Sequence, residues 1–319
     1  MKITVIGCGR WGSFIARYLC SVGHDVTLYG PKDSPHMQEM LQTRRNALMT
    51  LPDGVTLSTS LPEALREMEV LVISIGSQNL RGLMSELRDC GMTRGTIVLC
   101  MKGLEIETGM RLSTITEEEL GPDVSVAVWI GPGHVQAFCS GIPNCMVIDS
   151  RDEETKRRLV DEFSSNLIRF YYGQDLIGNE IGAAAKNVIG IAAGLLDGMN
   201  LSALKGALMA RGTREIARLI KAMGGNELSA YGLCHLGDYE ATLFSPFSHN
   251  RQFGEAFAKG ETFSSLAEGY YTVRALTKLA KEKNVDLPIC RTVENVLYHG
   301  VPAKEAVLKL FERSLKNEF

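Results

Sequence analysis

The chain has 319 residues, 45% hydrophobic and 22% charged, with a formal net charge of −3. This suits a globular protein of two domains. It argues against a nucleic-acid surface, which needs a basic arm or stripe, and no apolar run is expected to span a membrane.

Lys2–Ile6 reads as a buried strand with no signal-peptide pattern before it. A glycine turn leads into a helix over residues 11–22, closed by Gly23, and a second strand covers residues 25–29. A helix is predicted over 36–47, a strand over 56–58, and a helix over 61–67 with Ser60 as its cap and Pro62 in its first turn. Strands at 70–75 and 96–100 flank a helix at 80–90, and 124–129 and 145–148 read as two more strands. Repeated βα units predict an α/β fold with a mostly parallel sheet. From about Ile177 onward only helices are expected, over residues 181–196, 204–223, 227–234, 252–259, 264–283, 291–299 and 303–316. The domain division is therefore placed at 1–177 and 178–319. Eight cysteines occur without a CxxC pair, which reads as reduced core residues in a cytoplasmic protein, with no disulfide frame and no metal site.

Two features point to chemistry. The first is Gly7-Cys8-Gly9-Arg10-Trp11-Gly12, a GxGxxG that follows a strand and opens a helix. Glycines there permit a tight turn and close approach to a pyrophosphate, and the helix N-terminus stabilises the phosphate charge. The second strand ends Tyr29-Gly30-Pro31-Lys32, with no acid to bind a ribose 2′-hydroxyl. Lys32 would suit a 2′-phosphate, so the cofactor reading is NADP(H) or NAD(H), leaning to NADP(H). The second feature is Lys186, the only charged side chain between Ile181 and Leu196. Gly182, Ala183, Gly190 and Ala193 share its helical face. They leave room beside the ammonium for another helix or a ligand. An unpaired ammonium is costly to bury, so Lys186 should have a partner and a task.

Further segments complete a pattern: Lys102-Gly103-Leu104-Glu105, Gly131-Pro132, Gly182 to Val188, Ala192 to Gly198, Arg211-Gly212, Gly237-Asp238, Ser248 to Gly254, and Glu268-Gly269-Tyr270. With the glycine loop, these make the chain resemble the bacterial NAD(P)-dependent glycerol-3-phosphate dehydrogenases over nearly its whole length. The resemblance implies an N-terminal Rossmann domain, an all-helical C-terminal domain and a homodimer. It also implies reversible reduction of dihydroxyacetone phosphate to sn-glycerol 3-phosphate. By the same resemblance Lys186 is the proton donor, Asp238 its partner, Asn187 an orienting residue, and Lys102 a second cation for substrate and cofactor. Gly131, Thr242, His249, Asn250 and Arg251 would contact the substrate. Gly7, Gly9, Arg10, Trp11, Gly12, Lys32 and Glu268 would contact the cofactor.

The chain departs from that family in places. Where the family has Ser-Arg-Asn, this chain has Ser248-His249-Asn250. The missing arginine is a charge-assisted hydrogen-bond donor worth ~1.5–3 kcal/mol, or roughly 10- to 150-fold in phosphate affinity. Gly133-His134-Val135-Gln136-Ala137 lacks the family's acid, Met199-Asn200-Leu201-Ser202 is an altered turn, and Tyr271 replaces an arginine. Two further readings therefore stay open: a dehydrogenase of the same fold acting on another small hydroxy or carbonyl compound, and a non-catalytic dinucleotide sensor.

Overall fold

The computed structural model describes residues 1–314 and 317. It divides into two compact units, one of Met1–Lys102 with Arg111–Leu176, the other of Gly103–Met110 with the chain from Ile177 onward.

The first unit is built on an eight-stranded sheet. Its strands are β1 (Lys2–Ile6), β2 (Asp25–Tyr29), β3 (Val55–Ser58), β4 (Val70–Ile73), β5 (Gly95–Leu99), β6 (Val124–Ile130), β7 (Asn144–Ser150) and β8 (Ile168–Tyr172). They lie in the order β3-β2-β1-β4-β5-β6-β7-β8. Every pair is parallel except β6 with β7. The order from β3 to β6 is that of a doubly wound nucleotide-binding sheet, whose switch point lies between β1 and β4. Central strands are apolar on both faces, as helices on both sides require: all four residues of β4 are fully buried.

Several local expectations are corrected. The helix predicted over 36–47 is Pro35–Thr43. Arg44 turns left-handed there (φ 54°), and its guanidinium donates to the Pro52 and Val55 carbonyls. Ser60 precedes the helix Leu61–Leu65 without a side-chain cap bond. Helices Leu112–Leu120, Val135–Cys139 and Glu153–Phe163 and the strand β8 were not anticipated. Cys90 is exposed at the end of the helix Leu80–Asp89, unlike the buried Cys8, Cys100, Cys234 and Cys290; all eight are free thiols.

The second unit is helical. Its central helix, Leu176–Gly198, runs 23 residues, longer than the predicted 181–196. By length and mean hydropathy (1.2) it could cross a membrane, but 89% of its apolar window is buried within the protein. Around it pack Lys205–Ala222, His249–Lys259, Glu268–Glu282, Pro288–Tyr298 and Ala303–Phe311. The predicted 227–234 helix is a 3₁₀ turn, Glu227–Tyr231. The last predicted helix (303–316) stops at Phe311, and residues 315 and 316 lie outside the described residues. The segment Gly103–Met110, placed by sequence with the sheet, belongs to this unit. Leu104 is fully buried in the helical core, and the Glu107 carbonyl accepts from Lys278 Nζ.

Two buried titratable groups couple this unit to pH. The Glu215 carboxylate accepts from the backbone N–H groups of Ile289 (2.8 Å) and Cys290 (2.9 Å), in the first turn of the helix Pro288–Tyr298. Burial nevertheless pushes it from 4.5 up to about 7. His235 is fully buried; its Nδ1 donates to the Gly182 carbonyl (2.8 Å), so neutral Nε2 accepts from Tyr239 Oη (2.7 Å). Burial holds it down to about 4. The signs oppose. Glu215 contributes stability that is present below pH 4.5 and lost as pH rises through 7. His235 contributes stability that is present above pH 6.5 and lost as pH falls through 4. Each term is on the order of 3 kcal/mol. Glu215→Gln should therefore make stability rise with pH between 4 and 6.5 more steeply than in the wild type. Thermal unfolding of both proteins across that range checks this, and parallel curves would refute it.

Candidate functional site

In the first unit the glycine loop joins β1 to the helix Arg10–Ser21. Gly7 has φ 113°, and a Cβ there would overlap the Ser74 carbonyl; a Cβ at Gly12 would overlap the Gly7 carbonyl. These two glycines are required by packing alone. Gly9 is different. A Cβ built there meets nothing within 4 Å, and Gly9 starts the helix with no side-chain cap bond. The loop thus presents open space and a helix N-terminus at one point, which fits a pyrophosphate. Arg10 is exposed beside it, and Trp11 packs on Phe14 (5.3 Å) and Phe138 (6.1 Å). After β2, Gly30 is also required by packing, since a Cβ would lie 2.6 Å from Cys8 Sγ, and Lys32 is exposed. Lys102 follows β5 and donates from Nζ to the Gly131 carbonyl (2.6 Å). Gly131 has φ 131°, and a Cβ there would press on Met146 Cα at 3.1 Å.

In the second unit Lys186 is 8% exposed on the central helix. Its Nζ lies 2.8 Å from Asp238 Oδ2 and donates to Thr242 Oγ1 (2.9 Å). The Thr242 hydroxyl donates in turn to the Asp238 carbonyl (2.7 Å). Asp238 is fully buried, so its carboxylate strongly favours a cation in contact. Asp238 ends a 3₁₀ turn, and Thr242 sits in the π-helical turn Glu240–Phe244. Such wide turns are rare and are frequent at functional sites. One residue along the central helix, Asn187 Oδ1 accepts from Asn250 Nδ2 (3.0 Å), and Asn250 Oδ1 accepts from Gly269 N (2.9 Å).

The small-residue face beside Lys186 is taken by chain rather than left open. A Cβ at Gly190 would lie 2.7 Å from Thr242 Cγ2, one at Gly194 would overlap the Arg251 carbonyl, and one at Gly254 would overlap that of Ile191. The helix His249–Lys259 therefore packs backbone to backbone on the central helix, carrying Asn250 to Asn187.

His249 is the first residue of that helix, half-buried, with Nδ1 3.2 Å from the Leu266 carbonyl and its ring 6.1 Å from that of Phe263. Arg251 turns to other partners: Asp197 Oδ2 (2.8 Å), Glu255 Oε2 (3.0 Å) and the Ser245 carbonyl (3.1 Å). Glu268 begins the helix Glu268–Glu282 and is half-buried. Sequence reasoning gave no role to Asp197, which lies in the Ala192–Gly198 segment, or to Lys205; the two pair at 2.6 Å. No motif links them, since each is an ordinary helix residue until the fold brings them together.

Two family models match the chain. The NAD-dependent glycerol-3-phosphate dehydrogenase N-terminus matches residues 2–156, and the C-terminus of the same family matches residues 175–308. A glycerol-3-phosphate dehydrogenase [NAD(P)+] from Prosthecochloris aestuarii is 35% identical over the full length of both chains. One from Fusobacterium nucleatum is 36% identical over 100% of this chain and 98% of its own. The crystal structure of a glycerol-3-phosphate dehydrogenase from Coxiella burnetii superposes with a TM-score of 0.91 at 26% identity, covering 98% of this chain and 99% of that one. The glycine loop, the Lys186–Asp238 pair and these matches across both units place the chain in the NAD-dependent glycerol-3-phosphate dehydrogenase family.

Proposed function

We propose that the chain is an NAD(P)-dependent glycerol-3-phosphate dehydrogenase that reversibly reduces dihydroxyacetone phosphate to sn-glycerol 3-phosphate. The observation that carries the chemistry is the buried contact of Lys186 with Asp238 and Thr242. When bound, the reduced nicotinamide supplies the hydride, and the chain's own groups position and protonate. Lys186 donates a proton from Nζ to the carbonyl oxygen, and its charge stabilises the negative charge that builds there. Asp238 keeps the ammonium charged and aimed, and Thr242 fixes a second of its three N–H directions. Asn187, held by Asn250, orients the reactants. Lys102, held by the Gly131 carbonyl, brings a second cation to the cofactor in the first unit.

Thr242, His249 and Asn250 form the grip on the substrate phosphate. Arg251, in the same turn of the helix, steadies this grip through its contacts with Asp197, Glu255 and the Ser245 carbonyl. Gly7, Gly9 and Gly12 hold the pyrophosphate in the first unit, with Arg10 and Trp11 beside them. Lys32, with no acid at the end of β2, favours NADP(H) over NAD(H). The division of labour is a dinucleotide-binding sheet unit and a helical catalytic unit in a cytoplasmic homodimer.

His249 supports a second reading. An imidazole lacks the planar fork of donors by which a guanidinium grips two phosphate oxygens at once, and is the weaker phosphate ligand. The substrate would then be another small carbonyl compound reduced by the same Lys186 chemistry. The test follows NADPH and NADH oxidation by purified protein with dihydroxyacetone phosphate. Saturable turnover, faster with NADPH, is expected. Cofactor binding without turnover, together with turnover of a related carbonyl, would favour the second reading.

A further inference from the structure

The central helix carries a second charged station on the face of Lys186. Asp197 lies eleven residues on, about three turns or roughly 16 Å along the axis. Gly190 and Gly194 lie between them on that face. The Asp197 carboxylate accepts from Lys205 Nζ (2.6 Å) and Arg251 Nη1 (2.8 Å) through Oδ2, and from Ser202 Oγ (2.7 Å) through Oδ1. Each cation also donates to the backbone just past Thr242: Lys205 to the Leu243 carbonyl (2.9 Å), and Arg251 Nε to the Ser245 carbonyl (3.1 Å). Lys205 lies over the Phe244 ring as well, at 5.2 Å. These carbonyls lie at the C-terminal end of the π-helical turn, which Ser245 N closes by donating to the Glu240 carbonyl (3.2 Å); the Ser245 carbonyl also accepts from Ser248 N (3.3 Å).

The segment from Asp238 to Ser245 is thus pinned to one rigid helix at two points. Its upper part meets Lys186 through Asp238 and Thr242, and its lower end meets Asp197 through two cations. We infer that Asp197, acting through Lys205 and Arg251, is a positioning residue that fixes the register of Asp238 and Thr242 on Lys186. Although burial pushes the Asp197 carboxyl up, its donors Lys205, Ser202 and Arg251 hold it below the ordinary value, so the clamp stays ionised at neutral pH. The inference rests on the proposed role of Lys186.

The test compares Asp197→Asn, Lys205→Met and Lys205→Arg with the wild type in full-length protein, with Lys186→Met alongside. Rates are expressed per cofactor-binding site, so that misfolded protein does not count. Asp197→Asn and Lys205→Met should lower kcat about 10- to 100-fold, leave KM for the cofactor within about 2-fold, and move the alkaline limb of the pH–kcat profile. Lys205→Arg keeps a donor for both oxygens and should recover most of kcat. If Asp197→Asn does not fold, the Lys205 pair reads the same contact. Wild-type kcat and pH profile per site in Lys205→Met would overturn the inference while leaving the role of Lys186 standing. A Lys186→Met protein with unchanged turnover would instead overturn the underlying reading.

Discussion

Replacing Lys186 with methionine should lower kcat for dihydroxyacetone phosphate reduction by roughly 10³-fold or more. General acid catalysis contributes ~10²–10⁴-fold, and the ammonium also stabilises the charge developing on the carbonyl oxygen. Methionine has nearly the length of the lysine stem, so packing against the glycine-lined face is kept. The substitution also leaves Asp238 buried without its cation, which costs about 3–5 kcal/mol when one partner of a buried pair is removed. Lys186→Met/Asp238→Asn removes that penalty and separates lost chemistry from lost folding. The double variant should fold as stably as the wild type and remain inactive. Steady-state rates and cofactor affinity measured on all three proteins check this. Unchanged turnover in Lys186→Met would contradict the mechanism.

The second large effect is a gain. His249→Arg should lower KM for dihydroxyacetone phosphate about 10- to 100-fold with little change in kcat. The position suits a phosphate ligand: it opens an eleven-residue helix whose cap, Ser248, accepts from Arg251 N (3.3 Å). A guanidinium there adds a charge-assisted donor worth ~1.5–3 kcal/mol to the partial positive charge of the helix end. Imidazole has one ring nitrogen directed at the Leu266 carbonyl, which leaves little for a phosphate. Initial rates against substrate concentration decide the point. A KM unmoved by arginine would mean that the phosphate does not sit at this helix start, and would favour a different substrate.

Local features of the sequence were legible where short-range rules decide them. The strand Lys2–Ile6, the glycine loop and the strand Asp25–Tyr29 stand where the pattern put them, because a buried parallel strand and a tight turn are each set by a few adjacent residues. Lys186 stood out because a lone cation in a run of small apolar residues needs a partner. Its partners lie 52 and 56 residues away in sequence: Asp238 came only from the resemblance, and Thr242, expected there as a substrate contact, was not foreseen as a partner of Lys186. The glycines beside Lys186 gave room for either a helix or a ligand. Only the packed helix His249–Lys259 shows that a helix takes much of that room. Arg251 shows the same limit: nothing in the neighbouring residues foretold its ion pair with Asp197, 54 residues earlier. The strand Ile168–Tyr172 sits at the sheet edge with three of its five residues exposed, so its apolar pattern is weak. The helix Glu153–Phe163 is rich in charge, and its start is fixed by Asp152 accepting from Glu154 N and Thr155 N. The end of the helix Pro35–Thr43 depends on the reach of Arg44 to carbonyls in the following loop, which no periodicity records.

The central claim is that Lys186 protonates a ketone phosphate as it is reduced. The most direct test incubates the purified protein with NADPH and dihydroxyacetone phosphate and quantifies both the cofactor consumed and the glycerol 3-phosphate formed. One sn-glycerol 3-phosphate per NADPH oxidised, with no product from the Lys186→Met protein, is the predicted result. NADPH that binds but is not consumed, or product formed equally well without Lys186, would contradict it.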